Sequence, residues 1–566
     1  MTNDAPVSQA KSAPRLGPKA RANKRRLVKR AGLPPVICPD VLVERDLPVP
    51  MRDGTILLAD HWYPSTGATG PAILVRTPYG QEGNAGVATM FAERGRHILI
   101  QRCRGTFGSQ GEFTPFDEAD DGADTLAWLR AQNWYPGSVH TWGFSYLGVT
   151  QWAVCAPGIS PNAMQIALSA RDVAGTIICQ GGGFSISNTL VWVISLAAQE
   201  RSKAVRWWTV LNLPRRLARA ALTLPPIEAD VAATGHPVSY YRDWVTHSQA
   251  GDPWWNARRH ASNPADVPPV VLLAGWQDLF LRGQVEDYSA LAQAGRPVRL
   301  IVGDWSHSTG NADAWSAFEM FRPPAETGQP LAGPPVRIEV TGGAGWRDLD
   351  HWPPPAAALK LNLTTQLTLT ASGTETSETS YIYDPLHPTP QAGGRALNPF
   401  DSGRRGQGRR ERRRDVVVFT GQRLTEDLTV AGEAEFVALF ESTNPTPDFA
   451  VRLCQVNARG VSRTVADGYI HLPPPDPAEE GRLRRVVVPI GPLAHRFVAG
   501  QRIRLQVSSG AHPLHLRNPG AGAPPTDPGR LAPSTVRLLF GGDEGCQLVL
   551  PQVDLDQLAL ADDGPR

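Results

Sequence analysis

Val139-His140-Thr141-Trp142-Gly143-Phe144-Ser145-Tyr146-Leu147-Gly148 is the stretch on which the reading of this chain turns. A short β-prone run (Val139, Thr141, Trp142) ends at Gly143, and the apolar segment from Tyr146 to about Cys155 has the composition of a helix. Ser145 thus falls on a sharp strand-to-helix turn, the arrangement of a nucleophile elbow. Such a turn lifts the hydroxyl out of the sheet and leaves the next backbone N–H, that of Tyr146, aimed at whatever the hydroxyl attacks. The generic elbow carries Gly two residues after the Ser; here Leu147 holds that place and Gly148 follows it. Alone, the stretch reads equally well as a serine in an ordinary glycine-containing turn. Its surroundings have to decide.

On the N-terminal side, Asp53-Gly54 between β-prone runs predicts a hairpin. Strand-like and helix-like runs then alternate: 72–75 strand, 84–94 helix, 97–100 strand, 120–132 helix, with acids crowding the start of the last as the helix dipole favours. This βαβα alternation predicts a mostly parallel sheet with helices on both faces, whose ligands bind at the carboxyl ends of the strands, where Ser145 falls. From 171 to 262 the pattern becomes helical and rich in aromatics, which reads as an inserted cap. The alternation resumes over 263–360, where Val270–Gly275 and Val298–Gly303 are apolar strands closed by glycine. From 361 to 560 nearly every apolar run is β-like and bounded by Gly or Pro, as in a β-sandwich. The α/β domain therefore spans 36–170 and 263–360, with residues 1–35 ahead of it as a disordered basic tail.

Composition sets outer limits. The 566 residues are 41% apolar and 19% charged, with 16 Trp, 54 Gly and 52 Pro, as in a loop-rich globular chain of several domains. Residues 1–35 hold nine Lys or Arg against Asp4, which turns the formal net charge of +2 into −6 for the remainder. A mildly acidic body argues against a nucleic-acid partner, and the arginine-rich run 404–414, without interleaved aromatics, reads as a solvated loop. No apolar run is long enough to span a bilayer, and no apolar segment follows the basic N-terminus as in a secretory signal. Six scattered cysteines without metal-ligand spacing read as buried thiols in a reducing compartment, with the cytoplasm as the default. No cofactor or metal is implied.

A serine hydroxyl needs a base, itself oriented by a carboxylate, before it is a useful nucleophile near neutral pH. Asp278 and His307 each follow one of the two Gly-closed strands, so Ser145, Asp278 and His307 come in the chain order of α/β-hydrolases, all at one sheet edge. Asp304, three residues before His307, is the competing carboxylate.

These residues sit in motifs with a specific likeness. Gly143-Phe144-Ser145-Tyr146-Leu147-Gly148 resembles the G-x-S-Y-x-G elbow of the X-Pro dipeptidyl-peptidase and cocaine-esterase-like serine hydrolases, Gly275–Phe280 the acid motif and Gly303–Ser308 the histidine motif. Arg104-Gly105, Trp352-Pro353-Pro354, Gly393-Gly394 and Ala494–Phe497 are further matches, and the resemblance covers about 40–550. It implies an α/β-hydrolase sheet, a helical cap inserted after the nucleophile strand and a C-terminal jelly-roll. It also implies that Tyr79, in Arg76-Thr77-Pro78-Tyr79, completes with the Tyr146 N–H an oxyanion hole. Two departures are Asp304, where the family often has Pro, and Gln277 at the variable place of the acid motif.

The expectation is a serine hydrolase acting on a small-molecule ester or amide or a short peptide through an acyl-enzyme. The family divides between acyl esterases and dipeptidyl-peptidases. The latter must capture a free ammonium with a carboxylate, and the spacing of the cap acids Glu200, Glu228, Asp230 and Asp243 places none of them at the pocket. Phe280, Trp192 and Trp207 instead suggest an apolar or aromatic acyl pocket, which favours the esterase. A non-catalytic binding protein on the same scaffold is the rival of another class, and it predicts a missing triad member.

Overall fold

The computed structural model describes residues 11–13, 17–80, 84–156, 158–321, 331–371, 376–477, 481–541 and 544–561. In chain order the first half reads β1 (Lys11–Ser12), α1 (Pro18–Ala31), β2 (Val41–Pro50), β3 (Ile56–Pro64), β4 (Ala72–Thr77), α2 (Ala85–Ala92), β5 (Ile98–Arg102), α3 (Ala119–Arg130), β6 (Val139–Phe144), α4 (Tyr146–Trp152) and β7 (Ala163–Ala167). The cap helices follow: α5 (Ile186–Gln199), α6 (Lys203–Ala220), α7 (Ala229–Thr234) and α8 (Ser239–Thr246). Then come β8 (Val270–Gln277), α9 (Leu281–Gln293), β9 (Val298–Ser306), α10 (Ala312–Met320), β10 (Val336–Val340) and β11 (Gly345–Leu349).

The strands form one sheet in the order β1-β2-β3-β5-β4-β6-β7-β8-β9-β10-β11, parallel from β5 through β10. Strands covered on both faces need continuous apolar runs, and β4 and β8 are buried at every position. The order reverses at β4, which has β5 on one side and β6 on the other. A crevice opens at the carboxyl ends of strands at such a switch point. Tyr79 follows β4 and Ser145 follows β6, so topology alone brings these two residues to one crevice.

From β12 (Ala357–Leu363) onward the chain is β-rich and without α-helices among the described residues. Its longest ladder pairs Leu428–Ser442 with Arg484–Phe497, and buried phenylalanines, among them Phe419, Phe436, Phe440 and Phe449, fill its core. The two halves share packing: Ala431 and Ala494 belong to the apolar cluster under β8 and β9, and Ala559–Leu560 return to pair with β11.

Three expectations need correction. Residues 1–10 and 14–16 of the basic tail lie outside the described residues, but 18–31 is a helix rather than disordered chain. Its Leu27, Val28 and Ala31 pack with the cluster that includes α2 and α10, Lys24 pairs with Glu93, and Gly32 closes it in the left-handed conformation. The apolar residues are few but fall on one face, which composition alone does not reveal. Within the arginine-rich loop, Arg410 is buried rather than solvated, with Nε donating to Gln506 at 3.0 Å and Nη2 to Ser508 at 2.6 Å. The third, Trp207, concerns the site.

Candidate active site

The turn after β6 is strained. Ser145 has φ +56° and ψ −123°, a region that side chains other than Gly rarely occupy. The strain is held from both sides: the Ser145 N–H donates to the Ala167 carbonyl at 2.9 Å, and its own carbonyl accepts from the Gly148 N–H at 2.8 Å. The geometry also accounts for the displaced glycine. A Cβ on Gly148 would lie 2.4 Å from Ser169 Cβ and 3.0 Å from Ile166 Cγ2, so close approach to the neighbouring strand demands glycine there. Gly143 meets the same demand against Leu147 Cβ, at 2.3 Å.

β8 and β9 lie side by side and parallel, so the residues just beyond them meet. Asp278 is fully buried; its Oδ1 accepts the Phe280 N–H at 2.8 Å and its Oδ2 lies 2.7 Å from His307 Nδ1. His307 Nε2 lies 3.0 Å from Ser145 Oγ. The carboxylate fixes Nδ1 as the protonated nitrogen, which leaves Nε2 as the acceptor facing the hydroxyl. Asp304 points elsewhere: it is exposed, and its carboxylate pairs with Arg404 at 3.5 Å.

Tyr79 reaches Ser145 from β4. Its hydroxyl accepts the indole N–H of Trp192 at 2.8 Å, and desolvation among the surrounding rings pushes its pKa up to about 12. The phenol therefore keeps its proton at neutral pH, and with the oxygen's acceptor side occupied by Trp192 that proton is free to point toward Ser145. The Tyr146 N–H is the first of α4 and has no acceptor within the helix. The two donors thus flank the serine. The Tyr146 side chain does something different: its hydroxyl donates to Glu118 Oε1 at 2.8 Å and accepts the Phe116 N–H at 2.9 Å. Glu118 is itself held by Arg76 at 3.0 Å, so a buried ionic network anchors the elbow from below.

The pocket in front of Ser145 is apolar. Phe116, Trp192, Trp244, Leu279, Phe280 and Leu397, with Val149, Ile177 and Ile178, line it; Asn188 and Thr189 are its polar points apart from Ser145, Tyr146 and His307. Phe280 and Trp192, expected here, are here. Trp207 is not: it lies on α6 with 69% of its surface exposed, on the far side of the helix from the packed stripe. Counting aromatics in the cap could not give their helical face. Phe116, Trp244 and Leu397 escaped sequence reasoning, because each reaches the pocket from a separate segment. Leu397 comes from the C-terminal half, where its N–H donates to Asn188 of α5 at 2.9 Å.

Comparison with known proteins agrees along most of the length. Residues 53–309 match the model for the X-Pro dipeptidyl-peptidase (S15 family), and residues 332–548 that for the X-Pro dipeptidyl-peptidase C-terminal non-catalytic domain. The cocaine esterase of Rhodococcus sp. (strain MB1 Bresler) is 29% identical over 536 residues, covering 85% of this chain and 93% of the relative. An α-amino acid ester hydrolase superimposes with a TM-score of 0.74 at 20% identity, over 92% of this chain and 98% of its own. An aminopeptidase from a marine-sediment Thaumarchaeota archaeon does so with a TM-score of 0.74 at 19% identity and the same coverage, and at such identities both show the shared fold. With an α/β domain and an all-β C-terminal domain each matching in order, the chain belongs to the X-Pro dipeptidyl-peptidase and cocaine-esterase-like family of serine hydrolases.

Proposed function

We propose that this hydrolase is an acyl esterase or acylase for apolar or aromatic acyl groups, with Ser145 as nucleophile, His307 as base and Asp278 as its orienting acid. Ser145 Oγ attacks the acyl carbon while His307 Nε2 takes its proton. The carbonyl oxygen, now an oxyanion, accepts from the Tyr79 hydroxyl and the Tyr146 N–H. Collapse expels the alcohol or amine, which takes the proton from His307 and leaves an acyl-serine. Water, deprotonated by the same imidazole, releases the acid and restores the enzyme.

The observation that carries the substrate class is the absence of Asp, Glu, Lys and Arg from the described residues lining the pocket. A free ammonium drawn into this wall of rings would go unpaired, at a cost of several kcal/mol. Three of the four cap acids are engaged elsewhere: Asp230 and Glu228 pair with Arg242, and Glu200 accepts the Phe107 N–H; Asp243 is not among the residues lining the pocket. The curated relative's name, an esterase, points the same way. The Xaa-Pro peptidase reading has one foothold, a groove on the other side of Leu279 that holds Asp172 and Glu286, with Arg282 among its cations. Six free, buried cysteines support a reducing compartment such as the cytoplasm.

The test compares kcat/KM for an aromatic ester, Ala-Pro-p-nitroanilide and the N-acetylated anilide. Efficient ester hydrolysis with weak, acetylation-indifferent anilide cleavage is expected. Strong anilide cleavage that disappears on acetylation would reveal ammonium recognition and replace the esterase by the peptidase. Labelling by a fluorophosphonate should map to Ser145 and vanish in Ser145→Ala.

A further inference from the structure

We propose that the outward face of α6 is a docking surface for an anionic lipid bilayer. α6 packs on α5, the helix that carries Asn188, Thr189 and Trp192 to the pocket, and buries only the stripe Thr209, Leu213, Leu217 and Ala220. A helix packed on one side ordinarily turns polar residues to water on the other. α6 does not. At about 100° per residue, Trp207, Leu211, Pro214 and Ala218 form the ridge opposite the buried stripe, with Trp208 and Val210 to either side. Trp207 is 69% exposed and Leu211 65%. Of seventeen large apolar side chains exposed among the described residues, seven lie between Val205 and Leu224, so this is a concentrated patch rather than ordinary scatter.

Charge names the occupant. From Arg201 to Ile227 there are six Lys or Arg and no Asp or Glu, although the chain beyond residue 35 is acidic overall. Lys203, Arg215 and Arg219 are exposed and flank the apolar ridge, and the Arg216 guanidinium sits 4.8 Å from the Trp208 ring centre. Tryptophan and leucine along the middle with cations on the flanks is the composition of a helix that lies in the plane of a membrane interface. A protein partner would present mixed charge and be met by mixed charge; a rim that is cationic along the whole of α6, with Glu200 and Glu228 only beyond its two ends, matches a uniformly anionic surface. Among the described residues no helix is long and apolar enough to cross a membrane, so the contact is peripheral. Docked this way, the cap faces the phase in which apolar esters concentrate. That last consequence rests on the proposed esterase activity; the docking itself does not.

The test is co-sedimentation of the full chain with phosphatidylcholine vesicles with and without phosphatidylglycerol. Salt-sensitive binding to the anionic vesicles is expected, with little to the zwitterionic ones. Trp207→Glu combined with Leu211→Glu should weaken it on the order of tenfold or more, with the circular dichroism spectrum and thermal midpoint kept because both side chains are exposed. Arg215→Gln with Arg219→Gln should weaken it less and reduce its salt dependence. α1 is also basic, so Lys29→Glu with Arg30→Glu is the control and should leave most of the binding. Absence of binding to anionic vesicles overturns the proposal, as does binding that survives the α6 substitutions and is lost with those in α1. A concentration-dependent dimer dispersed by Trp207→Glu, without vesicle binding, would assign the face to a second copy instead.

Discussion

Two carboxylates near His307 have opposite surroundings, and that difference is measurable. Asp278 is buried with Oδ2 2.7 Å from His307 Nδ1, whereas Asp304 is exposed and pairs with Arg404. Asp278→Asn should lower kcat by roughly 10³- to 10⁴-fold, by upsetting the tautomer and losing stabilisation of the imidazolium. Asp304→Asn should change it by no more than a few-fold, since surface pairs contribute little; equal losses in both variants would mean that the acid is misassigned. On the other side of the serine, Tyr79→Phe should lower kcat by about 10²-fold with KM nearly unchanged, as for a donor that acts in the transition state. Trp192→Phe keeps a ring but removes the N–H that engages the Tyr79 oxygen, and a loss of a few-fold in kcat is expected. If Trp192→Phe changes KM alone, the indole merely lines the pocket. Ser145, Asp278 and His307 were legible in the sequence because each directly follows a run of strand-forming residues closed by, or containing, glycine. The Tyr79–Trp192 bond was not, since it joins a strand end to a cap helix 113 residues away.

At the scale of elements, the helix after the serine is pinned to its neighbours by glycine. Gly148→Ala places a Cβ 2.4 Å from Ser169 Cβ and 3.0 Å from Ile166 Cγ2, and since a Cβ is fixed to its own backbone, α4 must shift away from β7. Overpacking of this kind costs about 1–3 kcal/mol, and a shift of even part of an ångström at α4 moves the Tyr146 N–H relative to Ser145. The expected result is a lower thermal midpoint together with a kcat loss larger than any change in KM. Unaltered kinetics in a folded Gly148→Ala protein would show that the elbow tolerates the shift. The same close approach explains why the strand-helix-strand order could be read from the sequence while the exact elbow signature could not: a glycine is placed by its nearest neighbour in space, here Ser169, and not by a fixed offset. α1 and α6 show the converse. Each has a clear face, but the sequence does not say which face meets the protein, so composition reads one as disordered chain and the outward Trp207 of the other as a pocket residue.

At the scale of the whole molecule, the junction between the α/β and β halves contains buried imidazoles, and these tie its stability to pH. His495 is fully buried beside β10; its Nδ1 lies 2.8 Å from Thr341 Oγ1, whose own hydrogen goes to the Ala494 carbonyl, also at 2.8 Å. Nδ1 is therefore the protonated nitrogen and Nε2, buried without a partner, carries the lone pair. Burial depresses the His495 pKa to about 3, and that of His515, stacked on Tyr469 at 3.5 Å between cap and β half, to about 3 as well. In the unfolded chain both imidazoles titrate near pH 6.5, so between about pH 6.5 and 3 the unfolded state binds more protons than the folded one. These two imidazoles therefore contribute stability that rises with pH across that window, each losing up to ~1.4 kcal/mol per pH unit on acidification, against an opposite contribution from Asp287, whose carboxyl burial pushes up to about 6. The urea midpoint is expected to fall steadily from pH 7 to pH 5. His495→Asn isolates one contribution, because the amide can place a donor where Nδ1–H stood but takes up no proton. This variant should be less stable at pH 7, from the smaller side chain, and lose less than the parent between pH 7 and 5. A variant whose midpoint falls in parallel with the parent would place the acid sensitivity elsewhere. Hydrogen exchange locates it: at pH 5 the amides of Thr341 and Arg496, which bond across the two halves, should open before those of β8 deep in the sheet.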